Sequence, residues 1–403
     1  MQILHHIAVC LYGFAIRLVS PFNSKARTWI HGRKNQFPKI AATAKQGNPA
    51  IFHCASLGEY EQAVPLIKEY HTAHPDTPIW VSFFSPSGFE NAKLLPCITF
   101  KFYLPLDTTG NAKKLLKAVR PVVFVFVKYD IWPNLISILS KENIPFHLVA
   151  AHFKAKQIYF KPWGGYYRQT LRRFNSIGVQ FKENLKLIDK IYEKPYHMGD
   201  TRFEQVLSTA NTKWEDEYIA EFSKNSFTII FGSCWEPELE ILSNFVKNNP
   251  NHSFKFIIAP HRVDPEFIKY IQQKLGNVIN IHSKQSDWES NLLLIDSIGI
   301  LKYAYRYADF AFVGGGFRNK VHNILEPLAY GIPVATGPKH SDYPEVKSAN
   351  HQGVHFEISN ATEFSSLTSK KEELKQLKPF CTDWIIDNTG GAVKAMSRIA
   401  VLK

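Results

Sequence analysis

The sequence from Asp309 to Pro338, DFAFVGGGFRNKVHNILEPLAYGIPVATGP, decides the fold class. An apolar strand-length run leads into three glycines, and a helical pattern opens after His322. Glycines between a strand and a helix let backbone amides and a helix N-terminus hold a phosphate group. The alternative is a glycine-rich packing turn followed by a helix-capping asparagine. The spacing does not fit the G-x-G-x-x-G fingerprint, so a dinucleotide cofactor is not predicted.

Similar apolar runs alternate with helical patterns along the rest of the chain. They are apolar throughout rather than alternating, which is typical of parallel strands covered by helices on both faces. Helices such as Glu61–Tyr70, Pro237–Lys247 and Ile324–Tyr330 supply the crossovers. The predicted strands are Ala50–Ala55, Ile79–Phe84, Thr99–Leu104, Val122–Val127, Phe146–Ala151, Ser176–Gln180, Phe227–Phe231, Phe254–Ala259, Val278–Ile281, Leu292–Ile295, Phe310–Val313, Pro333–Thr336 and Gly353–Glu357.

With 403 residues, the chain is too long for one ordinary core. We predict two doubly wound α/β domains in series, with the joint near Gly199-Asp200. Such sheets bind ligands beyond the carboxyl ends of their strands, so a site built from the loops of both halves is expected in a cleft. The predicted divisions are an apolar and basic segment at 1–34, a first domain at 35–200, a second at 201–385 and a C-terminal helix at 386–403 that packs back toward the first domain.

The chain is basic, with 48 Lys and Arg against 35 Asp and Glu and a net charge of +13. Such a charge favours a polyanionic partner. Five scattered cysteines without metal-like spacing indicate a reducing compartment and argue against a structural zinc.

The first acidic residue is Glu59, and seven Lys or Arg precede it. Ahead of most of them lies an apolar segment from Ile3 to Val19. We predict a helix lying in the membrane interface, with the cations on anionic headgroups. A helix packed on the domain and a single membrane span are the alternatives.

The loop Ser56-Leu57-Gly58-Glu59 follows a predicted strand and opens a helix. A carboxylate at the carboxyl end of a strand is well placed to act as a general base. By pattern alone, a glutamate that caps the first helical turn is the favoured interpretation.

Other loops place polar groups at strand ends in the second half. Pro260-His261-Arg262 could set a ring and a guanidinium beside a nucleotide, and Gly299-Ile300-Leu301 could contact a base edge. Gly232-Ser233-Cys234-Trp235 follows another strand. In the first half, the aromatic and cationic stretch Tyr159–Arg168 is a candidate acceptor or interface contact, with an amphipathic surface helix as the alternative.

Together these residues resemble the Kdo (3-deoxy-D-manno-octulosonic acid) transferase family. Residues 56–59 resemble its S-x-G-E loop, and Asp130-Ile131-Trp132-Pro133-Asn134-Leu135 is similar to its E-x-W-P-N-L segment. The stretch from Asp309 to Pro338 resembles its most specific signature, D-x-A-F-V-G-G … H-N-I-L-E-P … G-x-P-V-x-x-G-P.

The resemblance implies a GT-B glycosyltransferase with two Rossmann-like domains facing across a cleft. The implied donor is CMP-Kdo, and the implied acceptor is the bisphosphorylated, acylated lipid A precursor. The implied location is the cytoplasmic face of the inner membrane, on an anionic membrane surface. No cofactor or metal is expected, since helix amides and basic groups can stabilise the departing phosphate.

Glu59 matches the family's catalytic base, with Ser56, Gly58, Asp130 and Arg168 as acceptor-side candidates. The segments that match its CMP-binding residues are Pro260-His261, Gly299-Ile300-Leu301 and Asn323-Ile324-Leu325-Glu326. From their chemistry we add Arg262, Gly315, Gly316 and His322 to the donor side.

Four places depart from the family pattern. Val321 stands where a glycine often precedes His-Asn, and the E-x-E of the family's E-x-E-x-W-P segment reads Lys128-Tyr129-Asp130. The other two departures lie in the donor-side loops. The usual Pro-Arg-His is Pro260-His261-Arg262, and the usual Gly-Glu-Leu is Gly299-Ile300-Leu301.

Two rival functions remain. A GT-B enzyme that uses a UDP-sugar would be expected to show a different signature in the second domain. A basic nucleic-acid-binding protein would be expected to show a helix-turn-helix or an aromatic RNA-binding motif, and neither pattern occurs, so no nucleic-acid partner is predicted.

Overall fold

A computed structural model describes residues 2–128, 131–276, 279–285 and 290–399. The chain divides into two compact units. Unit 1 contains the chain up to Gln205 together with the segment from Thr389 onward, and unit 2 spans Val206–Asn388.

Unit 1 is built on a seven-stranded sheet in the order β3-β2-β1-β4-β5-β6-β7, and the pairs are parallel. Its strands are β1 Ala50–Cys54, β2 Ile79–Phe83, β3 Ile98–Tyr103, β4 Val123–Val127, β5 Phe146–Ala151, β6 Ser176–Val179 and β7 Tyr196–His197. Its helices are α1 Gln2–Val19, α2 Ser24–Arg33, α3 Gln36–Thr43, α4 Leu57–Ala73, α5 Pro86–Asn91, α6 Thr109–Ala118, α7 Pro133–Lys141, α8 Gly165–Leu171, α9 Lys182–Ile188 and α10 Arg202–Ala210, the last of which runs on into unit 2.

Unit 2 repeats this architecture with the strand order β10-β11-β9-β8-β12-β13-β14, again parallel. Its strands are β8 Thr228–Cys234, β9 Lys255–Pro260, β10 Asn280–Ile281, β11 Leu292–Leu294, β12 Phe310–Val313, β13 Val334–Thr336 and β14 His355–Glu357. Its helices are α11 Glu217–Ser223, α12 Glu236–Asn248, α13 Pro265–Leu275, α14 Leu301–Ala304, α15 Leu325–Ala329, α16 Pro344–His351, α17 Ala361–Thr368, α18 Lys371–Gln376 and α19 Lys378–Asp387.

The predicted α/β class with two parallel sheets is confirmed. The apolar runs become strands because both faces of each sheet are covered. In β1, Ile51 belongs to one core cluster and Phe52 to the cluster on the opposite face. The sequence pattern missed β7, which is two residues long and half-buried. Val278, predicted as a strand residue, lies outside the described residues.

The last helix, α20 (Gly391–Ile399), packs in unit 1. Its buried residues Ala392, Ala395 and Met396 join the same core cluster as Phe52. Glu204, at the start of α10, fixes the first turn of α20 by accepting a 2.9 Å hydrogen bond from the amide of Ala392.

Helix α1 is anchored in unit 1 on one side and exposed on the other. At Gly13, an added Cβ would lie 2.6 Å from a side-chain atom of Leu106, so the helix packs closely there. Within the described residues, no single helix is long and apolar enough to cross a membrane, although α1 and α2 meet the length and composition test as a pair bent by 120°. Eight large apolar residues of α1 are exposed, and five of them recur at helical spacing: Leu4, Ile7, Leu11, Phe14 and Leu18.

Candidate active site

The loop after β1 holds the Glu59 carboxylate in a defined position. Ser56 is the N-cap of α4, and both its backbone amide and its hydroxyl donate to Oε2 of Glu59, at 2.6 and 2.5 Å. This is a capping box, the structural role given above as the alternative to catalysis. The side chain is half-buried at the carboxyl end of a strand. The cap therefore also positions a carboxylate where a base is expected, and the catalytic role stays a prediction.

The N-terminal helices reach the same loop through aromatic contacts. The amide of Phe84 donates to the carbonyl of Ala55, immediately before Ser56. Tyr12 of α1 stacks on the Phe84 ring at 6.1 Å, and Trp29 of α2 meets it edge-on at 5.7 Å. The exposed apolar helix and the loop that carries Glu59 are thus parts of one packed region of unit 1.

One of the seven N-terminal cations has a structural task. The guanidinium of Arg33 lies 3.7 Å from the Trp29 ring centroid and donates to the carbonyls of Phe84 and Leu104 at 2.7 and 3.2 Å. Burial lowers the pKa of Arg33 to about 9. This residue therefore ties α2 to the sheet.

The W-P-N-L segment is fixed by a residue that the sequence analysis missed. Asp107 is buried and accepts hydrogen bonds from the amides of Asn134 and Leu135 at 3.0 and 2.9 Å, which caps α7. Asp130, the predicted acceptor-side carboxylate of this segment, lies outside the described residues. Arg168 is held by its own loop, because its guanidinium donates to three backbone carbonyls there.

In unit 2, glycines bring two strand-end loops into close contact. Gly315 has φ +89°, and an added Cβ would lie 2.0 Å from the carbonyl oxygen of Lys320. At Gly316, an added Cβ would lie 2.4 Å from the amide nitrogen of Gly337. These glycines therefore act at least partly as a packing turn, the alternative given in the sequence analysis. They allow the backbones of the loops after β12 and β13 to lie in direct contact.

A second glutamate missed by the sequence analysis organises this loop. Glu238 is fully buried, and its two carboxylate oxygens accept hydrogen bonds from the amides of Gly315 and Trp235, both at 2.9 Å. Burial raises the pKa of Glu238, and these two bonds oppose that shift. The amide of Gly315 and that of His322, which donates to the carbonyl of Gly314, are therefore already bonded within the protein.

Three rings lie together in the loops that follow β8, β9 and β12. Trp235 lies against His261 with centroids 4.0 Å apart, and His261 meets His322 at 4.7 Å. Burial, with a smaller effect of His261, lowers the pKa of His322 to about 4. Burial also lowers the pKa of His261, as do nearby cations. Both imidazoles are therefore neutral near pH 7, and cationic charge comes from the Arg and Lys side chains instead.

Two arginines near these rings, Arg318 and Arg262, point their guanidinium groups toward different partners. Arg318 lies over the Trp235 ring at 4.6 Å and forms a 2.7 Å ion pair with Glu236. Arg262, which the sequence analysis chose, is paired with Asp264 at 3.4 Å at the start of α13. The tryptophan-cation pair was missed because Arg318 and Trp235 are distant in sequence.

The other donor-side candidates, Pro260 and residues 299–301, lie at the end of β9 and between β11 and the start of α14. Pro260 is the last residue of β9, and Gly299, with φ +94°, precedes α14. The Leu301 side chain lies 3.4 Å from the position of an added Cβ on Gly232, so this loop meets the end of β8. Ile300 is the residue that precedes α14 and has a helical backbone.

The H-N-I-L-E segment forms a short capped helix. The side-chain oxygen Oδ1 of Asn323 accepts a hydrogen bond from the amide of Leu325, and the side-chain Nδ2 of Asn323 donates to Oε1 of Glu326, both at 3.2 Å. Ile324 and Leu325 are buried. Ile324 is the N-cap residue of α15, and the Asn323 side chain just before it binds the first helical amide and orients the Glu326 carboxylate.

Comparison with known proteins adds independent evidence. A family model described as 3-deoxy-D-manno-octulosonic-acid transferase (kdotransferase) matches residues 30–205. The chain is 25% identical over 403 residues to the 3-deoxy-D-manno-octulosonic acid transferase of Haemophilus influenzae, covering 93% of this chain and 91% of that protein. It is 29% identical over 355 residues to the transferase of the same name from Aquifex aeolicus, covering 85% and 92%.

A solved structure of similar fold is the UDP-GlcNAc 2-epimerase from Neisseria meningitidis, with a TM-score of 0.61 and 16% identity over 87% of this chain and 98% of that one. At this identity the likeness concerns the fold alone, and it confirms the GT-B class predicted from the sequence. The family model matches residues 30–205 and these relatives cover most of the chain at 25–29% identity, so the chain is similar to 3-deoxy-D-manno-octulosonic acid (Kdo) transferases along most of its length, and the protein is a glycosyltransferase.

Proposed function

We propose that the protein transfers Kdo from CMP-Kdo to the tetraacylated, bisphosphorylated disaccharide precursor of lipid A, in lipopolysaccharide core biosynthesis. One observation carries the proposal. The Glu59 loop, at the carboxyl end of β1, packs through Phe84 against Tyr12 of the exposed apolar helix α1. A candidate base beside a lipid-facing helix suits an acceptor that is both a lipid and an alcohol.

In the proposed reaction, Glu59 accepts the proton of the acceptor's primary hydroxyl. The hydroxyl oxygen forms a bond to the anomeric carbon of Kdo, and the bond from that carbon to the phosphate oxygen of CMP breaks. A single displacement of this kind inverts the anomeric configuration. The Ser56 bonds to Glu59 support this role because they fix the carboxylate. A positioned base of this kind contributes about 10²–10⁴ in rate.

The departing CMP phosphate is proposed to bind at the glycine loop of unit 2. Since the amides of Gly315 and His322 are engaged, the candidates that remain there are Gly316 and Asn323 with the side chains of Arg318 and Lys320. Arg318 lies over the Trp235 ring at 4.6 Å, and Arg262, Lys320 and Arg318 all contribute to lowering the pKa of His261. Such fixed positive charge can stabilise the leaving group, and we propose a metal-independent reaction.

We also propose that α1 lies in the cytoplasmic face of the inner membrane. The support is the exposed stripe from Leu4 to Leu18 and the absence of acidic residues before Glu59 in the sequence. An amphipathic helix followed by cations binds anionic bilayers. The enzyme would then meet its acceptor in the plane of the membrane.

The test is transfer from CMP-Kdo, generated in situ, to the tetraacylated lipid A precursor in the presence of EDTA, with products identified by mass. A Kdo mass increment that survives EDTA supports donor, acceptor and metal independence together. If the protein adds nothing from CMP-Kdo but consumes a UDP-sugar, the proposal is wrong and the UDP-sugar alternative replaces it.

A further inference from the structure

Unit 1 displays a tryptophan in a rigid loop. The Trp163 side chain is 63% exposed, although tryptophan is a large, mainly apolar residue. The loop around it is fixed, because the Arg168 guanidinium donates to the carbonyls of Tyr159, Lys161 and Pro162 at 3.1, 2.6 and 3.1 Å. An added Cβ on Gly164 would lie 1.9 Å from the carbonyl oxygen of Ile158. The exposure of Trp163 is therefore built into the loop.

This loop lies beside the first turns of α1. Tyr167, two residues into α8, has its hydroxyl 3.2 Å from Nδ1 of His5, and the Tyr166 ring is 6.0 Å from the His5 ring. On α1, Ile3 and Leu4 flank this contact and are exposed. Trp163 lies two residues before the start of α8 and three before Tyr166, so this exposed ring belongs to the loop that leads into the contact with α1.

The charge pattern of the two segments is the same. Residues 1–58 contain seven Lys or Arg and no acidic residue. Residues 143–182 also contain seven Lys or Arg and no acidic residue. These stretches are distant in sequence, and the contact of His5 with Tyr166 and Tyr167 joins them in space. An exposed tryptophan between two stretches of sequence without acidic residues matches an anionic bilayer, where tryptophan prefers the headgroup level. The Asp107 carboxylate that bonds His5 at this contact is buried.

We propose that residues 154–173 form a second membrane contact, in which Trp163 enters the headgroup region of an anionic bilayer beside α1. Lys154, Lys156 and Lys161 then lie at the level of the lipid phosphates. The proposal rests on the membrane association of α1 proposed above. It also gives a reason for the three hydrogen bonds of Arg168, which keep the loop in the conformation that exposes Trp163. A two-point contact also fixes the rotation of unit 1 on the membrane, which a single helix does not.

The test is sedimentation of the full-length protein with vesicles of phosphatidylcholine mixed with phosphatidylglycerol, and with vesicles of phosphatidylcholine alone. Trp163→Ser should weaken binding to the anionic vesicles about tenfold. Lys156→Ser should weaken it about fivefold and lower its salt dependence. The matched controls are Phe380→Ser and Lys371→Ser, exposed positions in unit 2 that should bind like the wild type.

A second measurement removes folding as an explanation. Brominated phosphatidylcholine in the anionic vesicles should quench part of the wild-type tryptophan emission, and Trp163→Phe should lose that part while its thermal unfolding is unchanged. If Trp163→Ser binds like the wild type, or Trp163→Phe is quenched equally, the second contact is overturned. It is also overturned if Trp163→Ser abolishes self-association in light scattering while vesicle binding persists.

Kdo transfer in detergent micelles separates this proposal from the proposed function. Vesicle binding requires no turnover, so a wild type that binds through Trp163 but transfers no Kdo would contradict the proposed function and support the second contact. A wild type that transfers Kdo in detergent, with vesicle binding insensitive to Trp163→Ser, would overturn the second contact alone.

Discussion

The loops that follow β1 and β8 both end in a capping box with a glutamate, but the two glutamates have different surroundings. Both strands are the first of their unit and lie inside their sheet, and each is followed by a helix whose third residue is a glutamate. Glu59 caps its helix from a half-buried position, with both Ser56 bonds on one oxygen. Glu238 is fully buried, and both its oxygens accept backbone amides.

The difference teaches how a capping box can serve either chemistry or structure. In unit 2 both carboxylate oxygens of Glu238 accept backbone amides, which hold the glycine loop against the start of α12. In unit 1 the cap fixes a carboxylate that solvent, and therefore a substrate, can approach. The predictions below test that division.

The largest effect is expected for Glu59→Gln. Glutamine keeps an oxygen for the two Ser56 donors but cannot accept the proton, so kcat should fall about 10²–10⁴-fold with little change in the thermal midpoint. Initial rates by product mass and a thermal melt measure both. The control is Ser56→Ala, which should cost about 1 kcal/mol of helix-cap stability and far less rate. A larger rate loss in Ser56→Ala than in Glu59→Gln would show that the cap, and not the base, limits activity.

The strands and the glycine loop could be predicted from the sequence because they depend on local patterns. An unbroken apolar run predicts a buried parallel strand wherever it is long enough, which β7 is not. The Ser56–Glu59 cap is also local. The roles of Glu238 and Arg318 depend on partners about eighty residues away, at Gly315 and Trp235, and no sequence pattern gives such pairs. The direction of the Arg262 side chain is likewise set by Asp264 and not by its place in the motif.

Removing the buried glutamate should mainly reduce stability. Glu238→Ala leaves the amides of Gly315 and Trp235 without their acceptor, and each orphaned buried donor costs about 1–3 kcal/mol. We expect the free energy of unfolding of unit 2 to fall by about 2 kcal/mol or more. Denaturant titration measures this loss. A variant as stable as the wild type would mean that the glycine loop does not depend on this glutamate.

The two arginines of unit 2 should differ in their effect on donor affinity. Arg318→Gln should raise the KM for CMP-Kdo about tenfold, because a charged hydrogen bond to phosphate is lost. Arg262→Gln should raise it less, because the Arg262 guanidinium is directed toward Asp264 at the start of α13, whereas that of Arg318 lies over the Trp235 ring. Initial rates against CMP-Kdo concentration measure both. Equal effects would mean that Arg262 turns toward the donor when it binds.

The smallest effect is a pH dependence of stability. The pKa of His322 is lowered to about 4 and that of His355 to about 3, chiefly by burial, whereas an unfolded histidine titrates near about 6.5. The unfolded state therefore binds more protons below about pH 6.5, so stability should fall as the pH drops from there toward 4. Melting curves across this range should show a weaker dependence for His322→Asn. An unchanged slope would exclude His322 as a contributor.

The most direct test measures transfer rate and thermal midpoint together for Glu59→Gln and Glu238→Gln. The account predicts opposite outcomes for the two variants. Glu59→Gln should lose most of the Kdo transfer at nearly wild-type stability, and Glu238→Gln should lose stability with the larger part of the transfer rate retained at a temperature where it is folded. Full transfer by Glu59→Gln, or the same loss of rate in both variants, would contradict the division between a catalytic and a structural capping glutamate.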